Sequence, residues 1–344
     1  MKVSIVGTTG YGGVELLRIL HQHPEFVIHS IHSTKEEVPI WNEYPHLFGL
    51  INKNIEEIDY DRIGEESELV FLATPSGVSS KIVGQLIDKN IKIIDLSGDL
   101  RLKNPNDYQL WYGKEPLNKH VTDEAVYGLS EWNSEEIKQA QWIANPGCYP
   151  TSTLLGLAPV VKNRLIDLKS IVVDGKSGTS GAGRGLNKGS LYAEVNENFK
   201  IYKVNEHQHT PEIEQQLQDW IGEAKPITFS THLLPMTRGI MTTMYVQLLK
   251  EWETDRIIDL YKDIYDQQPF VRVRPRGNFP SVKEVCGSNF CDIGLDVDQR
   301  TGRLTIVSVI DNLMKGAAGQ AVQNANIMMG LDQTSGLKFT PLYP

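Results

Sequence analysis

From Lys2 to Val6 a short run rich in β-branched residues closes on Gly-Thr-Thr-Gly-Tyr-Gly-Gly, and from Val14 to His21 the apolar positions recur at helical spacing. This predicts strand, tight turn, helix. A second strand is expected at Phe26 to His32, further buried strands at Leu69 to Ala73 and Ile91 to Leu96, and a helix over Val78 to Lys89 between them. Strands alternating with helices imply an α/β fold with a doubly wound, Rossmann-type parallel sheet. The pattern changes after Cys148. Ile171 to Lys176, Thr228 to Leu234, Met241 to Leu249, Val271 to Arg274 and Leu304 to Val309 are strand-like and closely spaced, which predicts a mixed or antiparallel sheet in an α+β domain. Helices are expected after Tyr149, over Pro211 to Ala224 and through Arg256 to Tyr265, and a last helix, Ala317 to Met329, is expected to return to the first domain. The expected division is a first domain, 1–147, completed by 312–344, and a second domain, 148–311.

The chain has 344 residues, enough for two domains at roughly 150 residues each. Apolar residues make up 40% and charged residues 22%, an ordinary globular balance that argues against extended disorder. A formal charge of -9 disfavours a nucleic-acid partner but leaves room for a local basic pocket. No stretch approaches the roughly 20 apolar residues that cross a bilayer, and Met1 leads into a strand rather than a signal peptide. No membrane association and a cytoplasmic protein are therefore expected. Cys148, Cys286 and Cys291 form no CxxC pair and no even set, so thiols are expected rather than disulfides.

Gly7, Gly10 and Gly13 stand between a predicted strand and helix, where glycines let the backbone approach a pyrophosphate and the helix N-terminus receives its charge. A Gly-rich turn with no ligand is the competing reading. At the end of the second strand, where NAD binders often carry an acidic residue, the sequence is His32-Ser33-Thr34-Lys35. Hydroxyls and a lysine suit a 2'-phosphate, which favours NADP through Ser33 and Lys35; Glu36 and Glu37 leave NAD open.

Cys148 lies in Asn145-Pro146-Gly147-Cys148-Tyr149-Pro150-Thr151, ahead of a helix-like run to Val160. A sulfur at a helix N-terminus is biased toward the thiolate, whereas a cysteine without that setting is usually a small buried hydrophobe. Glu206-His207-Gln208-His209-Thr210-Pro211-Glu212 gathers two imidazoles and a carboxylate before a helix, a general acid or base with an orienting partner. Spacing does not choose between His207 and His209, and zinc is disfavoured because the remaining ligands are missing. Lys176-Ser177-Gly178-Thr179-Ser180-Gly181-Ala182-Gly183-Arg184 can form an anion-binding concavity or a plain surface loop. Arg101, just beyond the strand ending at Leu96, is a candidate anion clamp or a partner of Asp99.

Together with Asp311-Asn312-Leu313-Met314-Lys315-Gly316-Ala317-Ala318-Gly319-Gln320-Ala321, these motifs resemble the N-acetyl-gamma-glutamyl-phosphate reductase family of arginine biosynthesis, relatives of aspartate-semialdehyde dehydrogenase, along essentially the whole chain. The resemblance implies that Cys148 is acylated, that His209 or His207 with Glu212 supplies acid-base chemistry, and that the segment Lys315-Gly316-Ala317-Ala318-Gly319-Gln320, with Asn312, lies near the nicotinamide. Thr9, Tyr11 and Gly12 of the turn, with Ser180 and Gly181, join the expected cofactor contacts. Arg101, Lys176 and Arg184 are assigned to the substrate's carboxylate and phosphate, with Asn145 also a substrate contact. The family often has Leu-Pro-His-Gly and Ser-x-Asp-Phe-Arg where this chain has Ala73-Thr74-Pro75-Ser76-Gly77 and Ser97-Gly98-Asp99-Leu100-Arg101. The expected ligands are NADP, an acyl phosphate and inorganic phosphate, in a homodimer or homotetramer without metal. Two rival readings are an aspartate-semialdehyde dehydrogenase and a non-catalytic NADP-binding sensor in which Cys148 is oxidised.

Overall fold

The computed structural model describes residues 1–34, 37–223 and 225–343. They fall into two compact units, Met1–Pro146 with Ala317–Lys338, and Gly147–Gly316 with Phe339–Pro344.

In the first unit the strands are β1 (Lys2–Val6), β2 (Val27–His32), β3 (Ile55–Glu56), β4 (Leu69–Leu72), β5 (Lys92–Asp95), β6 (Val126–Tyr127) and β7 (Trp142–Ala144). They form one sheet in the order β3-β2-β1-β4-β5-β7-β6, with every pairing parallel. This is the doubly wound sheet that the alternating pattern predicts. Val6, Val70, Leu72 and Ile93 pack with Ile82, Val83 and Leu86 of the helix Ser79–Leu86 in one core, each such side chain contributing about 1.5–3 kcal/mol on full burial. The chain reverses direction across the sheet between β1 and β4, the position where α/β sheets bind ligands beyond their carboxyl ends. The last helix, Gly319–Met328, is buried along its whole length in this unit although it carries Gln320, Gln323, Asn324 and Asn326. Two of its amides are matched locally: Asn324 Nδ2 donates to Gly128 O at 2.8 Å, and His23 Nε2 lies 3.0 Å from Asn326 Oδ1.

In the second unit β8 (Ile166–Ser177), β9 (Lys200–Tyr202), β10 (Thr228–Leu233), β11 (Ile240–Leu248), β12 (Val271–Val273), β13 (Cys291–Asp298) and β14 (Arg303–Ile310) run in the order β12-β13-β14-β11-β8-β10-β9. The pairs β8/β10 and β12/β13 are parallel and the rest antiparallel, so the expected mixed sheet is present. The expectations contain no strand at β13, because Asp292, Gly294, Asp296 and Asp298 break up its apolar run.

The helix Cys148–Lys162 packs on one face of this sheet. All residues from Tyr149 to Val161 are buried, which fits a helix apolar around most of its circumference. Pro159 lies inside it and has no N–H for the carbonyl of Leu155. Tyr265 OH donates to that carbonyl instead, at 2.5 Å, so the buried acceptor stays satisfied. Ser152 Oγ, one turn after Cys148, contacts Thr242 Oγ1 at 2.7 Å and locks the start of the helix to the sheet.

Candidate active site

The glycine turn follows β1 directly. Gly7 has φ +94, and a Cβ there would stand 2.4 Å from the carbonyl oxygen of Ala73 at the end of β4, so no side chain fits. Gly13 meets the same limit from the helix side, 2.3 Å from Gly7 O. The amides of Gly7 and Thr8 both donate to His32 O, which ties the turn to the end of β2. The helix begins at Tyr11, three residues before the predicted Val14, and no side chain caps it at Gly10. Thr9 Oγ1 lies 3.2 Å from Ser33 Oγ, and Thr9 O accepts Tyr44 OH at 2.8 Å. Backbone this close-packed, with Tyr11, Gly12 and Gly13 opening an uncapped helix, fits a dinucleotide's phosphates. Lys35 and Glu36 lie outside the described residues.

In the second unit Cys148 is the first helical residue and Gly147 the N-cap, again without a side-chain cap. Cys148 is half-buried, and the three cysteines are thiols rather than disulfides. The carboxylate of Glu212, fully buried, connects the segment ahead of Cys148 to a histidine. Its Oε1 accepts Gly147 N–H at 2.8 Å and its Oε2 lies 2.8 Å from His209 Nδ1. A carboxylate in that position holds the ring proton on Nδ1 and leaves Nε2 as the basic nitrogen. Gly147 is also where the ring rests, since a Cβ there would come within 2.2 Å of His209 Cε1. The amide before the cysteine and the imidazole are therefore held by one side chain.

His207 is in a different environment. Its Nδ1 accepts the amide of His209 at 3.2 Å, and its ring is ringed edge-on by Tyr149, Tyr202 and Phe229. Burial, then repulsion from His209, pushes its pKa down to about 2, so it is neutral at physiological pH. Burial also holds the hydroxyls of Tyr149 and Tyr202 above their usual range. Tyr202, the last residue of β9, was not expected from the sequence, because a lone tyrosine in a three-residue edge strand gives no signal of this packing.

The other predicted site residues are dispersed between these settings. Ser180 and Asn312 do meet: Asn312 Nδ2 donates to Ser180 Oγ at 2.9 Å, Asn312 Oδ1 accepts Gly239 N–H at 2.8 Å, and Gly181 follows beside them. Arg238, absent from the expectations, reaches the buried Asp311 at 3.3 Å from the loop that holds Ser180 N–H through Thr237 O. The Pro235-Met236-Thr237-Arg238-Gly239 turn between two predicted strands was its available signal. In the first unit Arg101 is buried and donates from Nε to Asn145 O and from Nη2 to Leu96 O, both at 2.8 Å, while Asp99 instead accepts Gly77 N–H, Ser80 N–H and Tyr108 OH. Asn145 is buried as well, donating to Ala317 O and accepting Asn324 Nδ2. Lys176 pairs with Asp174 on the sheet face opposite the one occupied by Gly175 and the Cys148 helix, as strand alternation requires. Arg184 is exposed. Among the described residues no group of three His, Cys, Asp or Glu side chains is arranged to hold a metal, and no helix is long and apolar enough to cross a membrane.

These features define a class. The model "Semialdehyde dehydrogenase, NAD binding domain" matches residues 2–140, and "Semialdehyde dehydrogenase, dimerisation domain" matches 148–312. Solved aspartate semialdehyde dehydrogenases share the fold: the Vibrio cholerae enzyme II at TM-score 0.72 and 17% identity, covering 96% of this chain and 98% of its own, and the Candida albicans enzyme with NADP at 0.69 and 13%, covering 95% and 98%. At such identities the likeness is one of fold. Curated proteins called N-acetyl-gamma-glutamyl-phosphate reductase from Geobacillus sp. (strain WCH70) and Bacillus subtilis (strain 168) are each 55% identical over 345 residues, covering 100% of both chains. The chain belongs to the N-acetyl-gamma-glutamyl-phosphate reductase family, within the semialdehyde dehydrogenases.

Proposed function

We propose that this protein is an NADP-dependent oxidoreductase that converts N-acetyl-gamma-glutamyl phosphate to N-acetylglutamate semialdehyde and inorganic phosphate in arginine biosynthesis. The observation that carries the reading is the single carboxylate of Glu212 shared by the amide preceding Cys148 and by His209. The relatives that bear this name at 55% identity favour it over aspartate semialdehyde as substrate.

Cys148 is the nucleophile, its thiolate favoured by the start of the helix Cys148–Lys162. His209 Nε2 takes the thiol proton while Glu212 keeps the other proton on Nδ1. The thiolate attacks the acyl carbon, the carbon–oxygen bond to phosphate breaks, and a thioester on Sγ remains. The chemistry a bound reduced nicotinamide supplies is the hydride that takes this thioester to the aldehyde. Cys148 then leaves as thiolate, with His209 holding the proton balance.

Gly7, Thr9, Gly10, Tyr11, Gly12 and Gly13 would hold the cofactor's phosphates. Ser33, beside Thr9, supports a 2'-phosphate and hence NADP, and Lys35 is assigned there from sequence alone. Ser180, Gly181 and Asn312 are assigned to the nicotinamide end. We read His207 as a buttress for His209 because its Nδ1 is engaged and its ring stays neutral. Arg101 and Asn145 are read as holding the chain ahead of Cys148, with their polar atoms on carbonyl and amide partners. Arg184 is the exposed cation proposed for the substrate's anionic groups; Lys176, engaged by Asp174, is the weaker candidate.

We take the protein as a homodimer or homotetramer. The dimerisation-domain match supports assembly, as do Val172 and Tyr245, exposed apolar neighbours across β8 and β11. A reactive thiol suits the reducing cytoplasm, which we propose as its compartment. The test is phosphate-dependent reduction of NADP with N-acetylglutamate semialdehyde, beside aspartate semialdehyde. Turnover with the first and its loss in Cys148→Ala is expected; unchanged turnover in that variant contradicts the reading.

A further inference from the structure

After β14 the chain opens into a wide π-helical turn, Met314–Ala318. Its hydrogen bond reaches back five residues, from Gly316 N–H to Asp311 O at 3.0 Å. Asp311 is fully buried and fixes the entrance: one oxygen accepts the amides of Leu313 and Met314 at 2.8 and 3.2 Å, the other that of Gly287 at 2.7 Å. Single π-turns widen a helix by one residue and recur at functional sites. Here Gly316, in the middle of the wide turn, lies against Cys148. A Cβ on Gly316 would stand 2.8 Å from Cys148 Cβ, 3.2 Å from Cys148 Cα and 3.2 Å from Ile310 Cδ1.

We infer that Gly316 is a positioning residue for the Cys148 thiol: the wide turn presses bare backbone against the cysteine's Cα and Cβ, fixing the direction in which the sulfur projects. Any side chain at 316 would push Cys148 Cβ aside, and a displacement of about 1 Å at a reacting atom costs on the order of 10²-fold in rate. The inference rests on Cys148 being the nucleophile. Part of its test is therefore independent of substrate.

The experiment compares Gly316→Ala, Asp311→Asn and Gly156→Ala. Gly156 is in the same helix as Cys148, but its added methyl would first meet the terminal methyl of Met244, 2.5 Å away and at the end of a flexible side chain. In folded, cofactor-free protein the rate of iodoacetamide labelling at Cys148 is followed by peptide mass spectrometry over a range of pH. Gly316→Ala is expected to slow labelling about tenfold and turnover on the order of 10²-fold, while NADP binding holds and Gly156→Ala labels at the wild-type rate. Asp311→Asn loosens the turn without adding an atom near the sulfur. It decides the matter if Gly316→Ala does not fold, and is expected to slow labelling in the same sense. Wild-type labelling in either folded variant overturns the inference, as does equal slowing in Gly156→Ala. A wild-type protein that labels at Cys148 but reduces no acyl phosphate refutes the proposed function and leaves the labelling comparison standing.

Discussion

Replacing Glu212 by Gln tests the site without changing its shape. The carboxylate accepts two N–H groups, Gly147 N–H on Oε1 and His209 Nδ1–H on Oε2, each at 2.8 Å, and is fully buried. A glutamine has one oxygen and one NH₂, so it can satisfy only one of them as an acceptor. If the oxygen stays on Gly147, the NH₂ faces His209, Nδ1 must become an acceptor, and the proton moves to Nε2, where the base is needed. If the oxygen turns to His209, two buried donors face each other at Gly147, at a cost of about 1–3 kcal/mol. The first arrangement avoids that cost, so the folded variant should hold the wrong tautomer. A tautomer error of this kind in the serine-protease triad costs about 10⁴-fold, and the expectation for Glu212→Gln is a kcat lower by on the order of 10³-fold, with KM for NADP little changed. The assay is steady-state NADP reduction with phosphate and N-acetylglutamate semialdehyde, alongside thermal melts. A folded Glu212→Gln with kcat within tenfold of wild type would refute the role assigned to this carboxylate.

Other variants separate the remaining roles. His207, with its folded pKa near 2 against about 6.5 unfolded, binds its proton first in the unfolded chain. Its contribution is thus intact above pH 6.5 and is lost as pH falls below it, by about 1.4 kcal/mol per pH unit. His207→Phe should shrink the stability difference between pH 7 and pH 5 by about 2 kcal/mol in urea unfolding; an unchanged difference contradicts the buried, neutral ring. Lys176→Met should keep kcat/KM within about threefold, because its charge is held by Asp174 on the far face of the sheet, and a hundredfold loss would return Lys176 to the substrate site. Gly13→Ala, which sets a methyl 2.3 Å from Gly7 O, should abolish NADP binding measured by fluorescence titration; retained affinity would remove the turn from the cofactor site.

Much of this was legible in residue order, for identifiable reasons. Lys2 to Val6 and the glycines after it obey local rules, so strand, turn and helix could be read directly, although the helix starts at Tyr11 because Gly10 rather than a later polar residue is its cap. The helix predicted to reach Ala224 ends at Ile221, where Gly222 adopts φ +75; Ala224 lies outside the described residues. β13 was hidden because its acidic residues sit between two paired neighbours, where tertiary pairing overrides local preference. Cys148, His209 and Glu212 were visible as residue types near helix starts. That Glu212 serves both partners, that His207 is walled in by aromatic rings, and that Gly316 abuts Cys148 depend on contacts between segments roughly 20 to 170 positions apart, which no local pattern encodes. The setting of Arg101 was hidden for the same reason. A cation's sequence does not say whether its guanidinium is engaged, and Arg101 turned out to lie on the carbonyls of Leu96 and Asn145.

The most direct test is to mix the protein with N-acetyl-gamma-glutamyl phosphate in the absence of reduced cofactor, quench in acid, and read both phosphate release and the mass of the Cys148 peptide. A burst of one equivalent of phosphate per active subunit, with an N-acetylglutamyl group on Cys148 that disappears when NADPH is added, is the predicted result. Phosphate released only together with NADPH oxidation, or an adduct on any residue other than Cys148, would contradict it.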